Sequence, residues 1–246
     1  MSENERSRAA APLSRELWCE LLAAGEIEIE GRMPWSSNVT LLVTVSHEGL
    51  KKRAIYKPGA GERRLWDFPE AVYRYEVAAY ELSDALGIGA IPETVLRSDA
   101  PYGEGSMQRF IEADFEEHYF TLLEDPQHLD QLRVIAGLDL LMNNADRKGG
   151  HLLLDDEGNI FAIDNGLSFH PHPKLRTVMW DFAGEDLPEV IVEGAASLLR
   201  VVPESLPALL SPTELEALER RARSLLRSKK FPEPDFASRP YPWPQI

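Results

Sequence analysis

Asp146, Lys148, His151 and Asp164 bring two carboxylates, an ammonium and an imidazole into one stretch. It runs Asn143-Asn144-Ala145-Asp146-Arg147-Lys148-Gly149-Gly150-His151 and on through an apolar hairpin to Asp164-Asn165-Gly166. A carboxylate can take a proton, a lysine can offset charge on a transferring group, and a histidine with an aspartate can share one divalent ion. The polar turn Asp155-Asp156-Glu157-Gly158-Asn159 separates two apolar runs. With Glu157-Gly158 as a two-residue loop, Asp156 pairs with Asn159 and, at the open end, His151 pairs with Asp164. Directly opposed residues have Cβ atoms roughly 4.5–5.5 Å apart, so this register predicts a metal-binding pair. An unperturbed histidine there stops ligating as pH falls through roughly 6.5.

A helix has to deliver that loop. Asp125 as N-cap and Pro126 at the first helical position open it, and Val134, Ile135, Leu138, Leu141 and Met142 carry it to the two asparagines. Upstream, Leu13 to Ala24 reads as an amphipathic helix capped by Ser14, after a charged, alanine-rich leader over residues 1–12. Glu26 to Glu30 alternates as a strand and Val39 to Val45 is rich in β-formers. The polar loop between them holds Ser36, Ser37 and Asn38, whose side chains and backbone N–H groups suit phosphate oxygens.

His47-Glu48-Gly49-Leu50 is a hairpin turn, and the returning strand Lys52 to Lys57 stops at Pro58-Gly59. A lysine at a strand end serves phosphates only if a carboxylate holds it there. The helical stretch 70–86, with Val72, Tyr75, Ala79, Leu82 and Leu86 as its apolar stripe, supplies Glu76. Glu81 lies about 140° further round the helix and is no equivalent. Strands over 93–97 and 106–111 end a β-rich lobe, residues 1–111; residues 112–246 form a helical lobe. The latter includes the capping box Ser211-Pro212-Thr213-Glu214 and a proline-rich tail that Phe236, Tyr241 and Trp243 are expected to strap down. The fold class is α+β in two lobes.

The 246 residues carry 41 acidic against 26 basic side chains, a formal charge of −15 that opposes binding to nucleic acid or an anionic membrane. Any phosphate-bearing ligand must be met by local cations or a metal. One cysteine and six histidines leave no disulfide framework and no Cys/His zinc cluster. No apolar run approaches the roughly 20 residues of a membrane span, and the N-terminus has no signal-peptide core, so a cytoplasmic location without stable membrane association is expected.

In order along the chain stand a strand lysine, a helix glutamate, a hinge between the lobes, a loop aspartate, a ligand five residues on and a second aspartate after the next strand. That order resembles the protein-kinase-like superfamily. Within it the chain is similar to bacterial proteins related to the phosphatidylinositol 3-/4-kinase catalytic domain, and more distantly to HipA-type kinases. The resemblance spans roughly residues 25–200 and is most specific in Asn144 to Lys148 and Ile163 to Gly166.

The resemblance implies a two-lobed protein-kinase-like fold and an ATP-dependent phosphotransferase with an unidentified protein or small-molecule acceptor. Lys57 would contact the α- and β-phosphates with Glu76 holding it, and Gln108, Arg109, Phe110 and Ile111 would form the adenine hinge. Asp146 would orient or deprotonate the acceptor, Lys148 would offset charge, and His151 and Asp164 would bind Mg²⁺ or Mn²⁺. The chain departs from the family at three places: His151 replaces an asparagine, Asp164-Asn165-Gly166 replaces Asp-Phe-Gly, and no glycine-rich loop is present. An imidazole favours Mn²⁺. A nucleotide-binding pseudokinase scaffold and a nucleotidyl (AMP) transferase are the alternatives on the same parts.

Overall fold

The computed structural model describes residues 13–34 and 38–246. The expected leader, residues 1–12, and Ser36 and Ser37 of the expected phosphate loop lie outside the described residues.

Helix α1 (Arg15–Ala24) starts where Ser14 accepts from Leu17 N–H and stops at Gly25. Strands β1 (Glu26–Arg32), β2 (Leu41–His47) and β3 (Leu50–Pro58) follow as an antiparallel meander. The β2–β3 turn is the expected two-residue one, with Glu48 and Gly49 both at positive φ, the geometry that matches the twist of paired strands. After α2 (Tyr73–Ala85), strands β4 (Thr94–Arg97) and β5 (Gly105–Arg109) complete a five-stranded sheet in the order β1-β2-β3-β5-β4. Trp18, Leu21 and Leu22 of α1 bury against Val43, Val45, Tyr56 and Met107 of the sheet, which forms one apolar core.

Helix α2 begins at Val72, which has no capping side chain, so its first N–H groups need acceptors from elsewhere. Glu62 supplies them, taking Tyr73 N–H at 2.7 Å and Val72 N–H at 3.1 Å. One face of α2 belongs to the second core: Tyr75, Ala79 and Leu82 pack with Leu132, Ile135 and Leu138 of α4 (Leu129–Met142) and with Ile191 of α5 (Glu189–Arg200). Short helices α3 (Tyr119–Leu122) and α6 (Leu206–Leu209) and the long α7 (Pro212–Ser228) complete this half. The capping box of α7 forms as expected, with Ser211 accepting from Glu214 N–H and Glu214 from Ser211 N–H. Glu214 also receives the Tyr75 hydroxyl, tying α7 to α2. Among the described residues no helix is long and apolar enough to cross a membrane.

The hairpin β6 (Leu152–Leu154) and β7 (Ile160–Ala162) forms, but its register is one residue from the expected one: Leu152 pairs with Ala162, Leu153 with Phe161 and Leu154 with Ile160. The cause is the turn. Asp155 Oδ1 accepts from Glu157 N–H and Asn159 N–H, at 2.9 and 2.8 Å, and Gly158 sits at φ +82, which makes a three-residue loop. His151 therefore faces Ile163 across the strands, whose N–H bonds to its carbonyl at 2.9 Å.

The tail also differs from expectation. Phe236 and Trp243 are 73% and 90% exposed, and Tyr241 is 39% exposed. Backbone carbonyls hold the segment instead: Pro240 O accepts from Thr177 N–H at 2.9 Å and from Trp180 Nε1 at 3.1 Å, and Gln245 O accepts from Gly149 N–H at 2.7 Å.

Candidate active site

A cavity of about 420 Å³ opens between the sheet and the helical half. Asn38, Lys57, Glu76, Gln108, Arg109, Phe110, Ile111, Asp146, His151 and Asp164 all line it, together with apolar Val39, Ile55, Leu153 and Ile163. Lys148 stands beside it, its Nζ 3.1 Å from Asp146 Oδ2.

Lys57, at the end of β3, places its ammonium 2.5 Å from Glu76 Oε1 and 2.8 Å from Asp164 Oδ1. Burial works against that charge, but the carboxylates of Asp164 and Glu76 outweigh it and hold Lys57 above the usual lysine range. The Lys57 charge in turn holds Asp164, whose side chain is half exposed, well below the usual carboxylate range. Glu76 is 2% exposed, inside the helix face rather than on its rim.

Asp146 is delivered by the two asparagines that end α4. Asn143 adopts a left-handed conformation, φ 57, and its amide clamps the 170–174 segment through His170 O, His172 O and Lys174 N–H. Asn144 Oδ1 accepts from Asp146 N–H at 2.9 Å, which fixes the aspartate's direction. Burial pushes the Asp146 carboxyl up despite the neighbouring Lys148. The residue between them is not a site cation. Arg147, 0% exposed, forks onto Asp139 at 2.8 and 2.9 Å and reaches Ile163 O and Asn165 Oδ1, each at 2.6 Å.

His151 and Asp164 do meet, Nε2 to Oδ2 at 3.4 Å, though not as cross-strand partners. Asp164 lies past the end of β7 at φ +58, and this left-handed turn brings its carboxylate to His151 in spite of the shifted register. The two donor atoms are close enough to share one divalent ion. Among the described residues no group of three His, Cys, Asp or Glu could hold a metal alone, so such an ion would complete its shell with phosphate oxygens and water. Lys148 N–H approaches His151 Nδ1 at 3.4 Å, which favours the proton on Nε2; ligation through Nε2 requires that proton to leave or move. Burial lowers the His151 pKa to about 4, so the acid limit set by this residue belongs near pH 4 and not near the reference value of roughly 6.5.

That shift has a stability consequence. Between the unfolded pKa and the folded one the unfolded chain binds the proton and the folded chain does not, so stability falls as pH drops from roughly 6.5 to about 4. His151→Asn should show a shallower fall of urea midpoint across that window. Parallel curves for the two proteins would exclude a buried neutral histidine.

Of the residues expected to form the hinge, Gln108 spends its amide on Thr94 Oγ1 at 2.8 Å, and the Arg109 guanidinium pairs with Glu93 and lies over the rings of Trp18 and Phe161. The isolated acid Asp139 inside the apolar run Val134 to Met142 was the sequence signal for a buried partner. No such signal marks Glu62 or Asn165.

Residues 65–208 match the family described as phosphatidylinositol 3- and 4-kinase. The chain is similar to protein Rv2133c of Mycobacterium tuberculosis, 35% identical over 263 aligned residues that cover 91% of this chain and 94% of that protein. Among solved structures, hydra Fam20, determined with sugar, superposes with a TM-score of 0.51 at 15% identity, covering 88% of this chain and 90% of that one. The Helicobacter pylori proinflammatory kinase CtkA gives a TM-score of 0.48 at 14% identity over 85% of this chain and 94% of that one.

Proposed function

Because the chain belongs to the phosphatidylinositol 3- and 4-kinase family and has a two-lobed protein-kinase-like fold, we propose that it transfers the γ-phosphoryl group of ATP to an acceptor hydroxyl with the help of a divalent metal. The observation that carries this reading is the convergence on one cavity of Lys57 from β3, Glu76 from α2, Asp146 from the loop after α4 and Asp164 from beyond β7. Phosphoryl transfer asks for little covalent chemistry from a protein and much positioning.

The adenine lies between the apolar walls at Ile55, Leu153 and Ile163, against the backbone of residues 108–111. Lys57, held by Glu76, meets the α- and β-phosphates. Asp146 orients the acceptor hydroxyl and takes its proton as the new oxygen–phosphorus bond forms and ADP departs; a carboxyl pushed up by burial suits that role. Lys148 offsets negative charge on the transferring group from its place beside Asp146. Asp164 and His151 would hold Mg²⁺ or Mn²⁺, which when bound neutralises charge on the phosphates.

Titration calorimetry with ATP and Mg²⁺ tests the nucleotide half of the reading. Lys57→Ala should weaken binding by about tenfold, on the order of 1.4 kcal/mol, and Glu76→Ala by less, since Glu76 acts through Lys57. Negligible effects in both variants would remove the pair from the site. Intact mass of the labelled acceptor, or of the protein itself, tests the chemistry. A gain of one phosphate supports the reading, whereas a gain of AMP, or no gain, points to nucleotidyl transfer or to a scaffold.

A further inference from the structure

Asn165 takes no direct part in the chemistry just described, yet it joins the groups that do. Its side chain is fully buried: Oδ1 accepts from Arg147 Nη2 at 2.6 Å and Nδ2 donates to Ala162 O at 3.2 Å. Its backbone N–H donates to Glu76 Oε2 at 2.9 Å, while the other oxygen of that carboxylate holds Lys57. Arg147 is fixed to Asp139 on α4 and immediately follows Asp146. One residue thus spans from the lysine–glutamate pair to the loop that carries the aspartate.

The chemistry at this position is restrictive. The side chain must offer an acceptor to the guanidinium and a donor to a carbonyl at once, in a fully buried position. An amide of this length does both. An aspartate keeps the acceptor and loses the donor; a leucine fills the volume and loses both. The neighbours add constraint. Asp164 stands at φ +58, and a Cβ on Gly166 would lie 3.2 Å from Glu76 Oε1, so the turn is packed against Glu76 at Gly166 as well as bonded to it at Asn165.

We propose that Asn165 is a positioning residue of the phosphotransfer site, a latch that locks the Asp164 turn to Glu76 and to Arg147 together. Lys57, Asp146 and Asp164 thereby keep one mutual geometry. The proposal rests on the phosphotransfer reading above. It assigns to Asn165 a role that neither a metal ligand nor a phosphate contact supplies.

The test uses the full chain, with ATP and Mg²⁺ or Mn²⁺ as probe and, as readout, the ADP freed when the γ-phosphoryl group passes to water or to the protein itself. Asn165→Leu should lower kcat by about 100-fold, the loss that a misplacement of about 1 Å produces, and leave the KM for ATP within about threefold. Amide hydrogen exchange in residues 144–151 should quicken while exchange in α7 stays as it was. Asn165→Asp, which keeps an acceptor for Arg147, should retain more of kcat than Asn165→Leu. Unchanged kcat in Asn165→Leu, equal losses in the two variants, or exchange that quickens as much in α7 as in residues 144–151 would each overturn the latch. Absence of any turnover in the unaltered protein overturns the phosphotransfer reading, and this proposal with it.

Discussion

Asp146→Asn is expected to abolish phosphoryl transfer, lowering turnover by about 10³-fold, the middle of the range for loss of a positioned acid or base, and to leave ATP affinity within a few fold. The substitution keeps the size of the side chain and its backbone tether to Asn144, but an amide cannot take the acceptor's proton. The proposed nucleotide contacts lie elsewhere, on Lys57 and the 108–111 wall of the cavity. Removing the Asp146 charge also removes repulsion toward Asp164 and toward an anionic nucleotide, so affinity has no reason to fall. Single-turnover ADP release and calorimetry on one preparation decide the matter. Turnover at the parent rate would take Asp146 out of the mechanism.

Arg147→Met is expected to be the most destabilising single change in the site. It strands Asp139, 1% exposed, as an uncompensated buried charge and removes a partner from Asn165 and from Ile163 O. Breaking a buried pair from one side costs about 3–5 kcal/mol, which for a chain of this size lowers Tm by roughly 6–20 °C. The double variant Asp139→Leu/Arg147→Met should regain much of that loss, because no lone charge remains. Thermal denaturation of the three proteins provides the check. A single variant as stable as the parent would mean that Arg147 is not the buried counter-charge of Asp139.

The parts of the site were legible where spacing alone decides a side chain's place. A strand ending at Pro58, a helix whose stripe runs through Tyr75 and Leu82, and a loop following an apolar helix put Lys57, Glu76 and Asp146 in order, and the β-then-α succession gave the two-lobed class. What escaped depended on hydrogen bonds that spacing does not encode. The hairpin register turned on Asp155 bonding two backbone amides, which lengthens the loop by one residue. Nothing in the spacing marks Arg147 for burial, since arginines are mostly exposed, and only its partner on α4, eight residues earlier in the chain, draws it inside. His151 met Asp164 for a reason other than the one expected, since the positive φ of Asp164 compensated the register slip. In the tail, aromatic side chains suggested anchors, but an extended proline-rich backbone has carbonyls with no internal partner, and those are what bind.

The bond from Gly149 N–H to Gln245 O, with the two bonds to Pro240 O, makes the tail a thermodynamic partner of the loop that carries Asp146. Whatever orders residues 144–151 in this arrangement must tighten the tail's hold by some factor. By reciprocity, a partner that lifts the tail must weaken that ligand by the same factor. The acceptors in all three bonds are backbone carbonyls, so substitutions at 241, 243 and 246 leave every one of them in place.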